Sequence, residues 1–212
     1  MAKKLEVSKE DALQIALEAI KKKHGKEAIC VGQESVQGVE FYTTGVQSID
    51  EALGGGIAKG RIVEIYGPES SSKTTLCLHI VAEAQQIGLT CAYIDMEHAL
   101  DPLYCAALGV DLDSLIVAQP STGEEAFQIV EALTKSGAVA IIIIDSVASL
   151  VPSAESEGEI GQNHMGRQAR LMGQGMRMTT GPAYDTGTSL IYINQLRQKL
   201  GCVGPETMVE WR

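Results

Sequence analysis

The sequence predicts an α/β fold, a mainly parallel central sheet with helices on both faces. Three observations carry that expectation. Ala140-Ile141-Ile142-Ile143-Ile144-Asp145 holds a continuous β-branched run, 141–144, the pattern of a strand buried on both faces in a parallel sheet. Residues 61–66 read as a buried strand, a short loop follows, and residues 76–84 read as a helix. Further strand patterns at 90–95, 115–118 and 188–193 alternate with helical ones.

From the start, residues 5–24 carry Leu5, Leu13, Ile15, Ala16, Leu17 and Ile20 at amphipathic-helix spacing, with Ser8 as N-cap and Gly25 as C-cap. The end of that helix is basic, Lys21-Lys22-Lys23-His24. Ile29-Cys30-Val31 reads as an edge strand or a docking segment. Residues 43–56 read as a turn, a short helix around 49–53 and a glycine loop. Helix starts are expected at Thr122-Gly123-Glu124-Glu125, with Gly137 ending that helix, and again around Arg167, Arg170 and Arg177. Arg170 and Arg177 are seven residues apart and so share a helix face. Residues 155–166 are glycine-rich and polar and read as a loop.

The chemistry concentrates in the loop after the first core strand, Gly67-Pro68-Glu69-Ser70-Ser71-Ser72-Lys73-Thr74-Thr75. A strand, a tight loop and a helix form the context of a phosphate-binding loop. The helix N-terminus offers unpaired N–H groups and partial positive charge to an anion. Lys73 is placed for the β- and γ-phosphates and the Thr74 hydroxyl for Mg²⁺. Ser72 stands where the motif calls for a second glycine, which puts a Cβ beside the phosphates; the other reading is a helix N-cap serine. Asp145, at the end of the β-branched run, reads as the second Mg²⁺-positioning carboxylate, acting through a water, or as a helix cap. Met96-Glu97-His98 follows a core strand directly, at the C-terminal sheet edge where ligands sit in open α/β sheets.

Composition excludes other classes. The chain has 212 residues, 45% apolar and 21% charged, enough for one α/β domain. No apolar stretch approaches the roughly 18 residues of a membrane span, and the start of the chain does not read as a signal peptide. Five dispersed cysteines suit reduced thiols and a cytoplasmic location. The net charge of −10 does not advertise nucleic-acid binding, so any such contact depends on a local basic cluster.

Several stretches together resemble the bacterial RecA-type recombinases: residues 60–71, Ile94-Asp95-Met96-Glu97-His98-Ala99-Leu100-Asp101-Pro102, residues 144–150, Glu157-Gly158-Glu159-Ile160-Gly161, His164-Met165-Gly166 and Ile193-Asn194-Gln195-Leu196-Arg197. Similarity runs from about residue 10 to Gly201. The resemblance implies a P-loop ATPase core of RecA type that takes ATP and Mg²⁺, coats single-stranded DNA as a helical homo-oligomer and exchanges strands with double-stranded DNA, with no membrane association. It implies Glu97 as general base, with Lys73 and Gln195 as further catalytic groups, Gln195 sensing the γ-phosphate. Asp101 and Tyr104 would lie against the adenine, Tyr104 having core packing as its other reading. Met165, Arg170, Arg177, Arg197 and Lys199 would contact DNA; an ordinary surface charge is the alternative for each basic residue, and loop-edge packing for Met165. The implied organisation is an oligomerisation helix and docking segment over 1–34, an ATPase core over 35–201, and a divergent tail over 202–212. That tail reads either as an altered second DNA loop or as an intein beginning at Cys202, whose thiol would attack the Gly201 carbonyl. The alternative functions are a nucleotide-binding regulator of the same superfamily that forms no DNA filament, and an inactive fragment or splicing precursor.

Overall fold

The computed structural model describes residues 8–25, 28–29, 38–153, 166–198 and 208–209. The chain divides into two compact units, 1–39 and 40–212. In the first, α1 (Lys9–His24) begins at Ser8, whose hydroxyl accepts from the Asp11 N–H at 3.1 Å, and stops at Gly25, where φ is 101°. No residue of α1 is buried; Leu13 and Ile15 are both about 60% exposed. Cys30 and Val31 lie outside the described residues.

The second unit opens with β1 (Phe41–Tyr42), α2 (Gln47–Leu53) and β2 (Ile57–Ala58), with β1 and β2 antiparallel. Asp50 ties this region together. Its carboxylate accepts from the Thr43 hydroxyl and from both the N–H and the hydroxyl of Thr44. Gly56, at φ 112°, sits so close to β1 that a Cβ there would lie 2.2 Å from the Tyr42 carbonyl oxygen. The antiparallel pair itself was not legible in the sequence, being two residues long on each side.

The core elements follow: β3 (Ile62–Gly67), α3 (Lys73–Gln86), β4 (Cys91–Asp95), α4 (Pro102–Ala107), β5 (Ile116–Ala118), α5 (Gly123–Ser136), β6 (Ile141–Asp145), a 3₁₀ turn (Val147–Ser149), α6 (Arg167–Thr186) and β7 (Ser189–Gln195). Strands β3 to β7 form one sheet in the order β3-β7-β6-β4-β5, with every pair parallel. A small antiparallel pair, β8 (Arg197–Gln198) and β9 (Met208–Val209), stands apart.

The isoleucine run does what its composition demands. Ile141 and Ile143 face α3 together with Cys77, Leu78, Tyr93, Ile191 and Ile193. Ile142 and Ile144 face α5 and α6 together with Phe127, Val130, Leu190 and Tyr192. Successive side chains point to opposite faces, so a strand covered on both sides must be apolar at every position. Burying each such side chain contributes about 1.5–3 kcal/mol. The sheet is therefore α/β with helices on both faces, as the sequence predicts. Its order delivers something the sequence pattern does not reveal: β7, the last of the five sheet strands in chain order, inserts between β3 and β6. Because all five strands run the same way, Gly67, Gln195, Asp145 and Asp95 end along one edge of the sheet.

Candidate functional site

That edge holds most of the residues singled out from the sequence. Gly67 closes β3 and is buried, and Pro68 to Ser72 form an exposed loop. Two serines of the loop adopt the left-handed backbone conformation, Ser70 at φ 58° and Ser72 at φ 62°. Ser72 is the residue before α3, but its side chain makes no capping hydrogen bond, so the N-cap reading of this serine fails. It occupies a backbone conformation suited to glycine. Ser71 donates its hydroxyl to the Pro68 carbonyl at 2.8 Å.

Helix α3 begins at Lys73, three residues earlier than the apolar pattern indicates. The Lys73 ammonium donates to the Pro68 carbonyl at 2.7 Å and to the Gly67 carbonyl at 3.2 Å, folded back over the loop it serves. Glu69 is exposed beside it. Thr74 points from the first turn of α3 toward β6 and donates its hydroxyl to Asp145 Oδ2 at 2.8 Å. Thr75 shares a 2.9 Å hydrogen bond with the Tyr104 hydroxyl. Tyr104 is 43% exposed, which removes the core-packing alternative for it. Asp101 caps α4, accepting at Oδ1 from the N–H groups of Leu103 and Tyr104, with Pro102 in the first turn. That capped Asp-Pro start is a helix signal carried by the sequence itself.

Asp145 is 8% exposed, and its carboxylate receives two hydroxyls on the same oxygen, Thr74 at 2.8 Å and Tyr93 at 2.6 Å. Burial pushes its carboxyl above the ordinary 3.8; the Tyr93 and Thr74 hydrogen bonds oppose that, while the charges of Glu97 and Asp95 add to it. A carboxylate held up in this way gains from a nearby cation. The donors on offer are a hydroxyl and a carboxylate, hard oxygen ligands of the kind Mg²⁺ takes. Thr74 directs its O–H toward Asp145, which leaves its oxygen lone pairs for a cation. Among the described residues no group of three or more His, Cys, Asp or Glu could form an all-protein cage. The set fits a cation shared with substrate phosphates.

The segment after β4 is organised by Asp95, which the sequence reading treated only as a strand end. It is 2% exposed and accepts from the N–H groups of Ala99 and Leu100 and from the Gln119 amide at 3.0 Å. This pins residues 96–100, with His98 at φ 53°. Glu97 is exposed, and its Oε1 accepts from the Ser146 hydroxyl and, at 3.4 Å, from Ser149. These serines sit just past β6, so Glu97 is held beside Asp145. Gln195 ends β7 directly opposite Gly67, and its N–H donates to the Asn194 side chain at 2.9 Å. Asn194 in turn donates to Glu64 at 2.8 Å.

The proposed DNA contacts divide. Arg170 and Arg177 are exposed on α6. Arg197 lies in β8, and nothing further is described of its side chain. Met165, Lys199, Cys202 and the rest of residues 154–165 lie outside the described residues. No helix among the described residues is long and apolar enough to cross a membrane.

Comparison with known proteins meets this geometry. The family model of the RecA N-terminal domain matches residues 11–210. Protein RecA of Clostridium novyi (strain NT) is 56% identical over 200 residues, covering 92% of this chain and 57% of that protein. Protein RecA of Ectopseudomonas oleovorans is 53% identical over 207 residues, covering 96% of this chain and 60% of that protein. For Protein RecA of Bifidobacterium breve the identity is 56% over 207 residues, covering 96% and 53%. The chain thus spans less than two thirds of the length of these relatives. With a five-stranded parallel sheet, a phosphate-type loop on its first strand and a family match across nearly the whole sequence, the chain belongs to the RecA N-terminal domain family.

Proposed function

We propose that the chain is the ATPase core of a DNA recombinase, one that binds ATP with Mg²⁺ at the strand-end site, assembles with copies of itself along single-stranded DNA and pairs it with a duplex. The observation that carries this reading is the Thr74–Asp145 hydrogen bond, which joins the phosphate loop to the carboxylate strand. The relatives, named RecA, supply the rest of the reading. Segments 1–34, 35–201 and 202–212 serve as subunit-docking segment, ATPase core and second-loop tail. The family match runs past Cys202 to residue 210, which supports a loop rather than an intein for that tail.

In this reading the loop Gly67 to Thr75 cradles the phosphates with the backbone N–H groups of its non-proline residues, and Lys73 exchanges the Pro68 carbonyl for them. Thr74 and Asp145 hold the cation, which when bound neutralises charge on the phosphates. Asp101 and Tyr104 flank the adenine. Glu97 orients and deprotonates the attacking water, its carboxylate steadied by Ser146 and Ser149. Gln195, at the end of β7, senses the γ-phosphate and passes its presence to the segment beyond. Met165, Arg170, Arg177, Arg197 and Lys199 meet the DNA.

Binding of a fluorescent ATP analogue, followed by phosphate release, tests the site. Lys73→Ala abolishes binding, because the phosphate counter-charge is gone. Glu97→Gln binds as the parent does and loses at least about 100-fold in hydrolysis, the scale of a general base. Parent-like turnover by Glu97→Gln would remove Glu97 from the mechanism.

A further inference from the structure

Tyr93 is unexplained by packing alone. It lies on β4, 1% exposed, among Cys77, Leu78, Ile143 and other apolar side chains on the α3 face of the sheet. A phenylalanine would fill that space equally well. In the strand register Tyr93 stands opposite Ile143, which places Asp145 two positions further along the neighbouring strand on the same face. The phenol hydroxyl reaches diagonally to Asp145 Oδ2 at 2.6 Å, the same oxygen that receives Thr74. Two donors occupy Oδ2, and among the described residues no donor reaches Oδ1.

We propose that Tyr93 is a positioning residue for Asp145: its buried hydroxyl fixes the carboxylate with Oδ2 turned inward and Oδ1 presented to the site, and so sets how tightly the site takes a divalent cation. This rests on the proposed nucleotide site. The residue type suits the task. A neutral phenol orients a carboxylate without offsetting its charge, whereas an arginine or lysine in the same place would compete with the cation. Tyrosine has a single polar atom at the end of a rigid ring, so its aim is set by the packing of β4 against α3. Outer partners of this kind commonly change metal affinity when they are lost.

The test measures nucleotide binding as a function of cation. A fluorescent ADP analogue is titrated into the 212-residue chain in EDTA and across a series of Mg²⁺ concentrations, for the parent, Tyr93→Phe, Asp145→Asn and the double variant. Tyr93→Phe keeps the parent's affinity in EDTA and needs about tenfold more Mg²⁺ for half-maximal tightening. In the Asp145→Asn background the same change moves nothing further, because its target is gone. Thermal melts with Mg²⁺ and ADP give a second readout: the stabilisation by Mg²⁺ shrinks in Tyr93→Phe while the melt in EDTA stays close to the parent's. An unchanged Mg²⁺ midpoint overturns the inference, as does an equal loss in the Asp145→Asn background, which would assign Tyr93 to packing. A parent that takes no nucleotide, or takes it without regard to Mg²⁺, instead overturns the nucleotide site itself.

Discussion

At the level of single residues, Ser72 is the clearest departure from the phosphate-loop pattern. Its φ of 62° is a conformation that costs a non-glycine residue about 1–2 kcal/mol. The loop holds this geometry ahead of any ligand, so the strain is common to free and bound states and does not enter the affinity. Glycine also frees the unfolded chain, which offsets roughly 0.5–1 kcal/mol of the relief. Ser72→Gly is therefore expected to raise folding stability by no more than about 1.5 kcal/mol. The Cβ beside the phosphates is a separate matter. Removing it lets the backbone approach, and calorimetry with a non-hydrolysable ATP analogue should show binding tighter by about 1 kcal/mol, roughly fivefold. Equal or weaker binding would mean the loop accommodates the serine. The departure was legible from the motif, but the backbone angle was not, since sequence names a residue and not its φ. Likewise the roles proposed for Lys73, Thr74 and Asp145 follow from spacing, while Tyr93 and Asp95 read only as strand residues. Their partners are 52 and 24 positions away for the Asp145 and Gln119 contacts, and only the strand order brings them together.

At the level of elements, the core strands and the capped helices were the legible part, because each carries a local signal. Thr122 accepts from the Glu125 N–H and Gly137 takes φ 64°, so α5 starts and stops where its cap residues say. What the sequence does not convey is how closely α5 and α6 approach. Gly175 of α6 has no room for a side chain: a Cβ there would meet Phe127 ring carbons at 2.2–2.3 Å. Phe127 is 4% exposed and cannot swing into solvent without emptying the core between α5 and β7. Gly175→Ala gains helix propensity of about 1 kcal/mol but overpacks the contact, which costs about 1–3 kcal/mol and can exceed that where a ring is rigidly held. The net expectation is a loss of about 1–2 kcal/mol and a melting temperature lower by about 2–8 °C for a chain of this size. Combining it with Phe127→Leu should recover part of the loss, a non-additive pair in a double-mutant cycle. A melting temperature at or above the parent's would show that the two helices separate freely.

For the molecule as a whole, charge decides how a polyanion is met. The chain carries −10, so a nucleic acid approaching at random is repelled. Attraction must come from a patch, and two of the proposed contacts, Arg170 and Arg177, are exposed on one face of α6. Each phosphate neutralised on a single strand adds about 0.7 to the slope of log affinity against log salt. Two arginines that both contact phosphate thus contribute about 1.4 to that slope. Fluorescence anisotropy with a labelled oligothymidine, taken at several salt concentrations in the presence of an ATP analogue, gives the slope directly. Arg170→Ala with Arg177→Ala should weaken binding most at low salt and reduce the slope by about 1.4, with no dependence on base sequence. Substituting Lys135 on α5 provides the contrast, because Lys135 is already paired with Glu131 at 2.7 Å and should leave the slope unchanged. If the double arginine variant kept the parent's slope, those two residues would be ordinary surface charges and the DNA contact would have to be carried by other cations of the chain.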